Sequence, residues 1–257
     1  MNSRMTDISD ENGTYRGLVE TYWADLTMFN EQLALRPDGY QRLALSTISS
    51  YFAERSMDSR SLQAAFGLRW VLLSMTVDIK APILPEEELV SESWASGRED
   101  YLFRMETALK RVSGETVAVI AKYYGLMDSA RRRLTKDISC INSSPLDFGP
   151  RVLEAASRPS WEEADYEEAG VWMIPASWID LLGHTNNIHY GELSYNALPE
   201  GRQASIDRLR RMEIYFTGEL KKGEGVQLFL SHSAETDTVK GVRMRDGKQS
   251  FLCRMVF

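Results

Sequence analysis

One order of elements runs through the 257-residue chain twice, and that repeat limits the fold more than any single motif does. In the first passage an extended stretch, YRGLVETYWADLTMF (15–29), precedes GYQRLALSTISSYFAER (39–55). There Tyr40, Leu43, Ala44, Thr47, Ile48, Tyr51 and Phe52 fall at helical spacing behind the entry signal Pro37-Asp38-Gly39. Strand-like runs follow at 70–80, 87–97, 99–112 and 115–127, the last two joined at Ser113-Gly114. The second passage repeats this: an extended run at 169–180, a helix candidate NIHYGELSYNAL (187–198), and strands at 211–220, 225–233, 237–245 and 248–257. Asp246-Gly247 joins its last pair as a hairpin. One helix per passage cannot cover two faces of two sheets. The pattern therefore predicts an α+β chain in which each half wraps an antiparallel sheet around its own helix, the two sheets joined edge to edge so that fewer edges stay exposed.

Boundaries follow from composition. Residues 1–14 read as a polar, flexible leader with no apolar stretch of the kind a signal peptide needs. Residues 15–136 form the first unit and 169–257 the second; between them 137–168, rich in Ser, Pro and acid, reads as linker. No run approaches the roughly 18 apolar residues of a membrane helix, so a cytoplasmic protein is expected. A net charge of −7 argues against a broad nucleic-acid surface. Cys140 and Cys253 have no metal spacing and no neighbouring histidine, and are expected to be plain thiols.

The chain has three histidines, and two of them sit in WIDLLGHTNNIHYGEL (178–193). Asp180, His184, Asn186 and Asn187 gather there immediately before the second helix. A polar turn with a helix cap would explain part of this. An active-site entrance would explain all of it, because a helix start offers unpaired N–H groups at the positive end of its dipole.

Asp180-x-x-Gly183-His184-x-Asn186-Asn187-x-x-Tyr190 resembles the signature of the acyl–acyl carrier protein (acyl-ACP) thioesterases, bacterial and plant enzymes of tandem (double) hotdog fold. DGYQRLALSTISSYFAE resembles the family's first helix, and WVLLSMTVDIKAPILPEEELVSESWASGRED the strands after it. IYFTGELKKGEGVQL (214–228) resembles the strand that carries a second carboxylate, here Glu219. The resemblance covers about 15–257, with Leu182 standing where the family has asparagine and Leu220 where plant members often have cysteine.

The resemblance implies hydrolysis of a fatty acyl-ACP to free fatty acid and holo-ACP, without metal or cofactor, as part of fatty acid biosynthesis. Asp180, His184 and Glu219 would be the catalytic residues. A partly buried Glu219 would be a base tuned by desolvation, Asp180 could orient His184, and His184 could instead be the base itself. Asn186 and Asn187 would position substrate or water beside an oxyanion hole made by the helix start. Aligning the halves by their helix starts sets Gln32 and Arg36 opposite Asp180 and His184, and pairing Pro85 with Gly223 sets Ala81 opposite Glu219. The first half then has no base of its own and is expected to house the acyl chain. His189 and His232 read as structural, and Tyr190 as core or tunnel lining. Two basic clusters, Arg131, Arg132 and Arg133 and then Arg208, Arg210 and Arg211, are candidates for docking the acidic carrier. An acyl-CoA thioesterase and a non-catalytic acyl-binding double hotdog remain as alternatives, and both a monomer and a homodimer are compatible with a tandem fold.

Overall fold

The structure, a computed structural model, describes residues 4–10, 13–142, 147–159 and 165–257. The first half contains β1 (Arg4–Asp10), β2 (Gly13–Trp23), α1 (Pro37–Glu54), α2 (Ser59–Phe66), β3 (Leu68–Ile79), β4 (Glu88–Glu99), β5 (Leu102–Arg111), β6 (Thr116–Asp128) and the short β7 (Arg133–Leu134). After α3 (Ser139–Asn142) the second half contains β8 (Glu167–Met173), α4 (Ile188–Asn196), α5 (Glu200–Ala204), β9 (Arg211–Phe216), β10 (Gly225–His232), β11 (Thr236–Arg243) and β12 (Gln249–Val256).

All strands belong to one 12-stranded sheet in the order β1-β2-β4-β5-β6-β3-β9-β12-β11-β10-β8, with β7 on β6. Leaving β1 and β7 aside, the order reads the same from both ends in terms of the repeat. The expected edge-to-edge join is the antiparallel pair β3·β9, running from Ser74↔Tyr215 to Asp78↔Arg211. This is the tandem hotdog, α+β arrangement.

The apolar spacing of 39–55 becomes the buried face of α1, which carries Tyr40, Leu43, Ala44, Ile48, Tyr51 and Phe52 into the core. Pro37 opens the helix at a position where its missing N–H is not needed. The helices α1 and α4 cross closely at Gly191, where a Cβ would collide with Gln41 Oε1. Residues 56–69 carried no helical expectation, yet α2 forms there. Asp58 caps it by accepting from the N–H groups of Arg60 and Ser61, and Gly67 closes it at φ 67°.

Two boundary expectations change. The leader is not free: β1 pairs along β2 from Arg4↔Val19 to Asp10↔Gly13, and Ile8 packs with Tyr15 and Trp94. An edge strand held by backbone bonds and one apolar anchor looks polar in composition, which is why 1–14 read as a leader. Residues 1–3 and 11–12 of that stretch lie outside the described residues. The linker, of which 143–146 and 160–164 lie outside them too, is strapped across the outer face of the sheet. Trp94 Nε1 donates to Pro150 O at 2.9 Å and Ser74 Oγ to Ala156 O at 2.9 Å. Arg104, ion-paired with the buried Glu106 at 2.7 Å, donates to Leu153 O. A buried ion pair must have its remaining donors satisfied, and the strap does that.

Among the described residues no helix is long and apolar enough to cross a membrane, and neither Cys140 nor Cys253 is in a disulfide.

Candidate active site

The loop before α4 is built by backbone bonds. Ile179 bridges to Thr185, Asp180 N donates to His184 O at 2.8 Å, and Gly183 turns the chain at φ 78°. Asp180 Oδ1 accepts from the N–H of Leu182 at 2.8 Å and of His184 at 3.4 Å. The first half makes the same loop. Phe29 bridges to Leu35, Asn30 N donates to Ala34 O at 3.0 Å, and Leu33 turns at φ 60°. Asn30 Oδ1 accepts from Gln32 N at 3.1 Å and Ala34 N at 2.9 Å.

The counterparts of Asp180 and His184 are therefore Asn30 and Ala34, not Gln32 and Arg36. Likewise Leu84 N bonds Glu87 Oε2 as Lys221 N bonds Glu224 Oε2, both at 2.9 Å, which sets Pro82 rather than Ala81 opposite Glu219. The first half still lacks a base at these three places. The turn itself is common to both halves, so Asp180 shapes backbone and bonds the peptide of His184, not its ring.

Glu219 leaves the end of β9 between two tethered neighbours. Gly218 N donates to Ser250 O at 2.9 Å, and Ser250 Oγ to Gly218 O at 2.5 Å. On the other side Leu220 O accepts from Thr185 N at 2.9 Å and Thr185 Oγ1 at 3.0 Å, while Leu220 N donates to Tyr190 Oη at 3.3 Å. Tyr190 is thus a brace under the site as well as core. With both flanks fixed, Glu219 Oε2 lies 3.1 Å from His184 Nε2. Glu219 is partly buried, with 34% of its side chain exposed against 14% for His184. Burial pushes the His184 imidazolium below its ordinary pKa. Glu219 and Asp180 oppose that, and Arg132 and Lys221 add to it.

Arg132 is the residue that sequence placed elsewhere. From the turn between β6 and β7, its Nη2 reaches His184 Nε2 at 2.8 Å and bonds Glu219 Oε2 as well. No spacing in the sequence signals this, because the two partners come from the other half of the chain.

The two asparagines divide their roles. Asn186 Oδ1 accepts from Ile188 N at 3.1 Å and is the cap. Asn187 makes no side-chain cap bond; its carbonyl accepts from Gln41 Nε2 at 3.1 Å, tying α4 to α1. Asp180, Asn186, Asn187 and Ile188 line one end of an open groove of about 620 Å³. Its wall is α1, with Leu45 and Ser49, and its floor is first-half aromatic: Phe52 stacks on Trp70 at 4.6 Å, with Tyr124 edge-on to both.

The other histidines have local partners. His189 stacks on Trp178 at 4.5 Å and bonds Glu192 at 2.8 Å; His232 pairs with the buried Asp237. Cys253 is buried, its thiol pushed up to about 12, so it is no nucleophile. No cluster with metal-ligating composition exists among the described residues.

The basic residues do not form one patch. Arg131 and Arg133 are exposed beside the site, with Lys221 and Lys222 after Glu219. Arg208 and Arg210 are exposed at the opposite end of β9, about 20 Å away by strand geometry. Arg211 is held by Glu213 at 2.7 Å and by Glu154 O at 2.6 Å.

Residues 41–139 match the family model described as the acyl-ACP thioesterase N-terminal domain. Among curated proteins no relative matches the chain. Among solved structures, an acyl-ACP thioesterase from Bacteroides thetaiotaomicron superposes with a TM-score of 0.80 at 16% identity, over 94% of this chain and 97% of that one. The 12:0-ACP thioesterase from Umbellularia californica does so with a TM-score of 0.78 at 11% identity, over 93% and 96%. At such identities the two structures speak for the fold. Together with the family match over the first half, they bear out the resemblance read from the sequence.

Proposed function

We propose that this chain, a thioester hydrolase carrying the acyl-ACP thioesterase N-terminal domain, releases free fatty acid from a cytoplasmic acyl-ACP at the His184–Glu219 pair. The observation that carries this reading is that the His184–Glu219 pair, itself outside the groove lining, has His184 on the same turn as Asp180, which lines a groove walled by the other half. Asp180, whose carboxylate shapes the His184 turn, lines the groove mouth, and the aromatic floor lies in the first half.

In this reading the acyl chain lies along α1 with its thioester at the start of α4. Water attacks the carbonyl carbon and gives its proton to the His184–Glu219 pair. Negative charge develops on the carbonyl oxygen at the start of α4, the positive end of the helix dipole. The C–S bond breaks as the carbonyl re-forms, and the departing thiolate takes up the proton. Asn187, whose side chain does not cap the helix, is free to hold the thioester or the water.

For the carrier, Arg131, Arg133, Lys221 and Lys222 form the basic surface at this mouth. Arg208, Arg210 and Arg211, at the far end of β9, are not part of it.

The test is fatty acid release from acyl-ACPs of several chain lengths, and from acyl-CoA of one matched length, with wild type, Glu219→Ala and His184→Ala. Turnover that falls at least about a hundredfold in both variants supports the assignment. Acyl binding with no turnover on either carrier would overturn it in favour of a binding protein, and a preference for CoA would move the carrier assignment alone.

A further inference from the structure

We propose that Arg132, supplied by the first half, is a positioning residue of the hydrolytic site, its guanidinium fixing the spacing and the protonation of the His184–Glu219 pair. This rests on the thioesterase reading above but asks more of the molecule: the half without a base still contributes to the chemistry.

A single nitrogen, Nη2, serves both partners. A guanidinium only donates, so His184 Nε2 must accept, and the neutral ring carries its proton on Nδ1. The pair's 3.1 Å separation then has a definite cause. An imidazole lone pair and a carboxylate oxygen at that distance repel unless a donor lies on both, and Arg132 is that donor. Without it, Nε2 must bind a proton or the two acceptors must part.

The charges around His184 point the same way. Glu219 and Asp180 favour the imidazolium, and burial, Arg132 and Lys221 disfavour it. Removing Arg132 leaves the two carboxylates opposed by burial and by Lys221.

The backbone is arranged for this reach. Arg132 sits at φ 52°, a left-handed conformation that side chains other than glycine adopt sparingly. Its N–H bonds Asp128 O at 2.8 Å, and Asp128 Oδ1 accepts from Ala130 N and Arg131 N at 2.9 Å each. The turn that bears Arg132 is thus closed by its own bonds. The arginine head, half-exposed, is free to point across the halves.

Two measurements on Arg132→Gln and Arg132→Lys test the proposal. Nitrogen NMR of the three imidazoles at neutral pH is expected to show His184 protonated on Nδ1 alone in wild type. In Arg132→Gln it should show a proton on Nε2, and in Arg132→Lys the wild-type state. An unchanged His184 signal and titration in Arg132→Gln overturns the proposal. In kcat/KM against pH, the acid limb of Arg132→Gln is expected to move to higher pH, with a loss several-fold greater at pH 6 than at pH 8. Arg132→Lys should restore the wild-type limb. The direction follows from His184, which loses a neighbouring cation that disfavours its imidazolium. An unmoved limb in an active enzyme overturns the role of Arg132. A wild type with no thioester turnover overturns the function instead, and the NMR result then decides for Arg132 alone.

Discussion

Asp180 and Asn30 shape the same turn with different chemistry, and the comparison separates structure from charge at one position. Both accept from the peptide N–H groups two and four residues on. Asp180→Asn is therefore expected to fold as wild type, with stability changed by no more than about 0.5 kcal/mol. The lost charge is one that favours the His184 imidazolium, so the acid limb of kcat/KM should move to lower pH, opposite to the Arg132→Gln shift. A thermal melt and a pH profile check both halves of that statement. For wild type the sign is equally definite. His184 is depressed below 6.5 by burial, so its neutral form, and the activity that needs it, should persist to pH values below the ordinary imidazole range. The motif was legible in the sequence because a scarce residue type, histidine, clustered beside asparagines at a helix start. Arg132 was not, because its meaning lies in partners from the other half of the chain. Nor were the exact counterparts of the motif, since the turns align by backbone bonds and not by the first helical residue.

Periodicity located α1 and α4, and all the strands from β3 to β6 and β9 to β12, to within a few residues. It left out β1 and α2, for different reasons. β1 is a polar edge strand with one apolar anchor. α2 spans only 8 residues and owes its existence to an Asp58 cap and a left-handed Gly67. Asp58→Ala is expected to cost about 1 kcal/mol, read from chemical denaturation. The helices also explain why the groove is one-sided. α1 has 18 residues and α4 has 9, so only the first half presents a long wall. Ser49, exposed on that wall, can be enlarged without disturbing the core. Ser49→Trp should reduce kcat/KM for long acyl chains at least about tenfold, in the range that steric exclusion of several methylenes gives. A short-chain thioester should be spared. Equal losses on all lengths would place the chain elsewhere.

At the scale of the whole molecule, the basic residues stand in two groups at the two ends of β9. Lys222→Glu or Arg131→Glu is expected to raise KM for a carrier-bound substrate, more so at low salt, while leaving a small-molecule thioester unaffected. Arg210→Glu, about 20 Å off by strand geometry, should do neither. Sequence showed that both clusters existed; only the path of the sheet shows which one faces the site. The seam at β3·β9 has a consequence of another kind. Its register sets Asp78 against Arg211 at one end and Ser74 against Tyr215 at the other. Under the bonds that make residues 80 and 81 counterparts of 217 and 218, these two pairs are images of each other. In an assembly of two identical chains every such image would be the same pair of amino acids, and each substitution would be inherited at both ends. Covalent fusion frees the chain from that rule. A change can enter one side and be answered on the other, and the seam itself then distinguishes left from right.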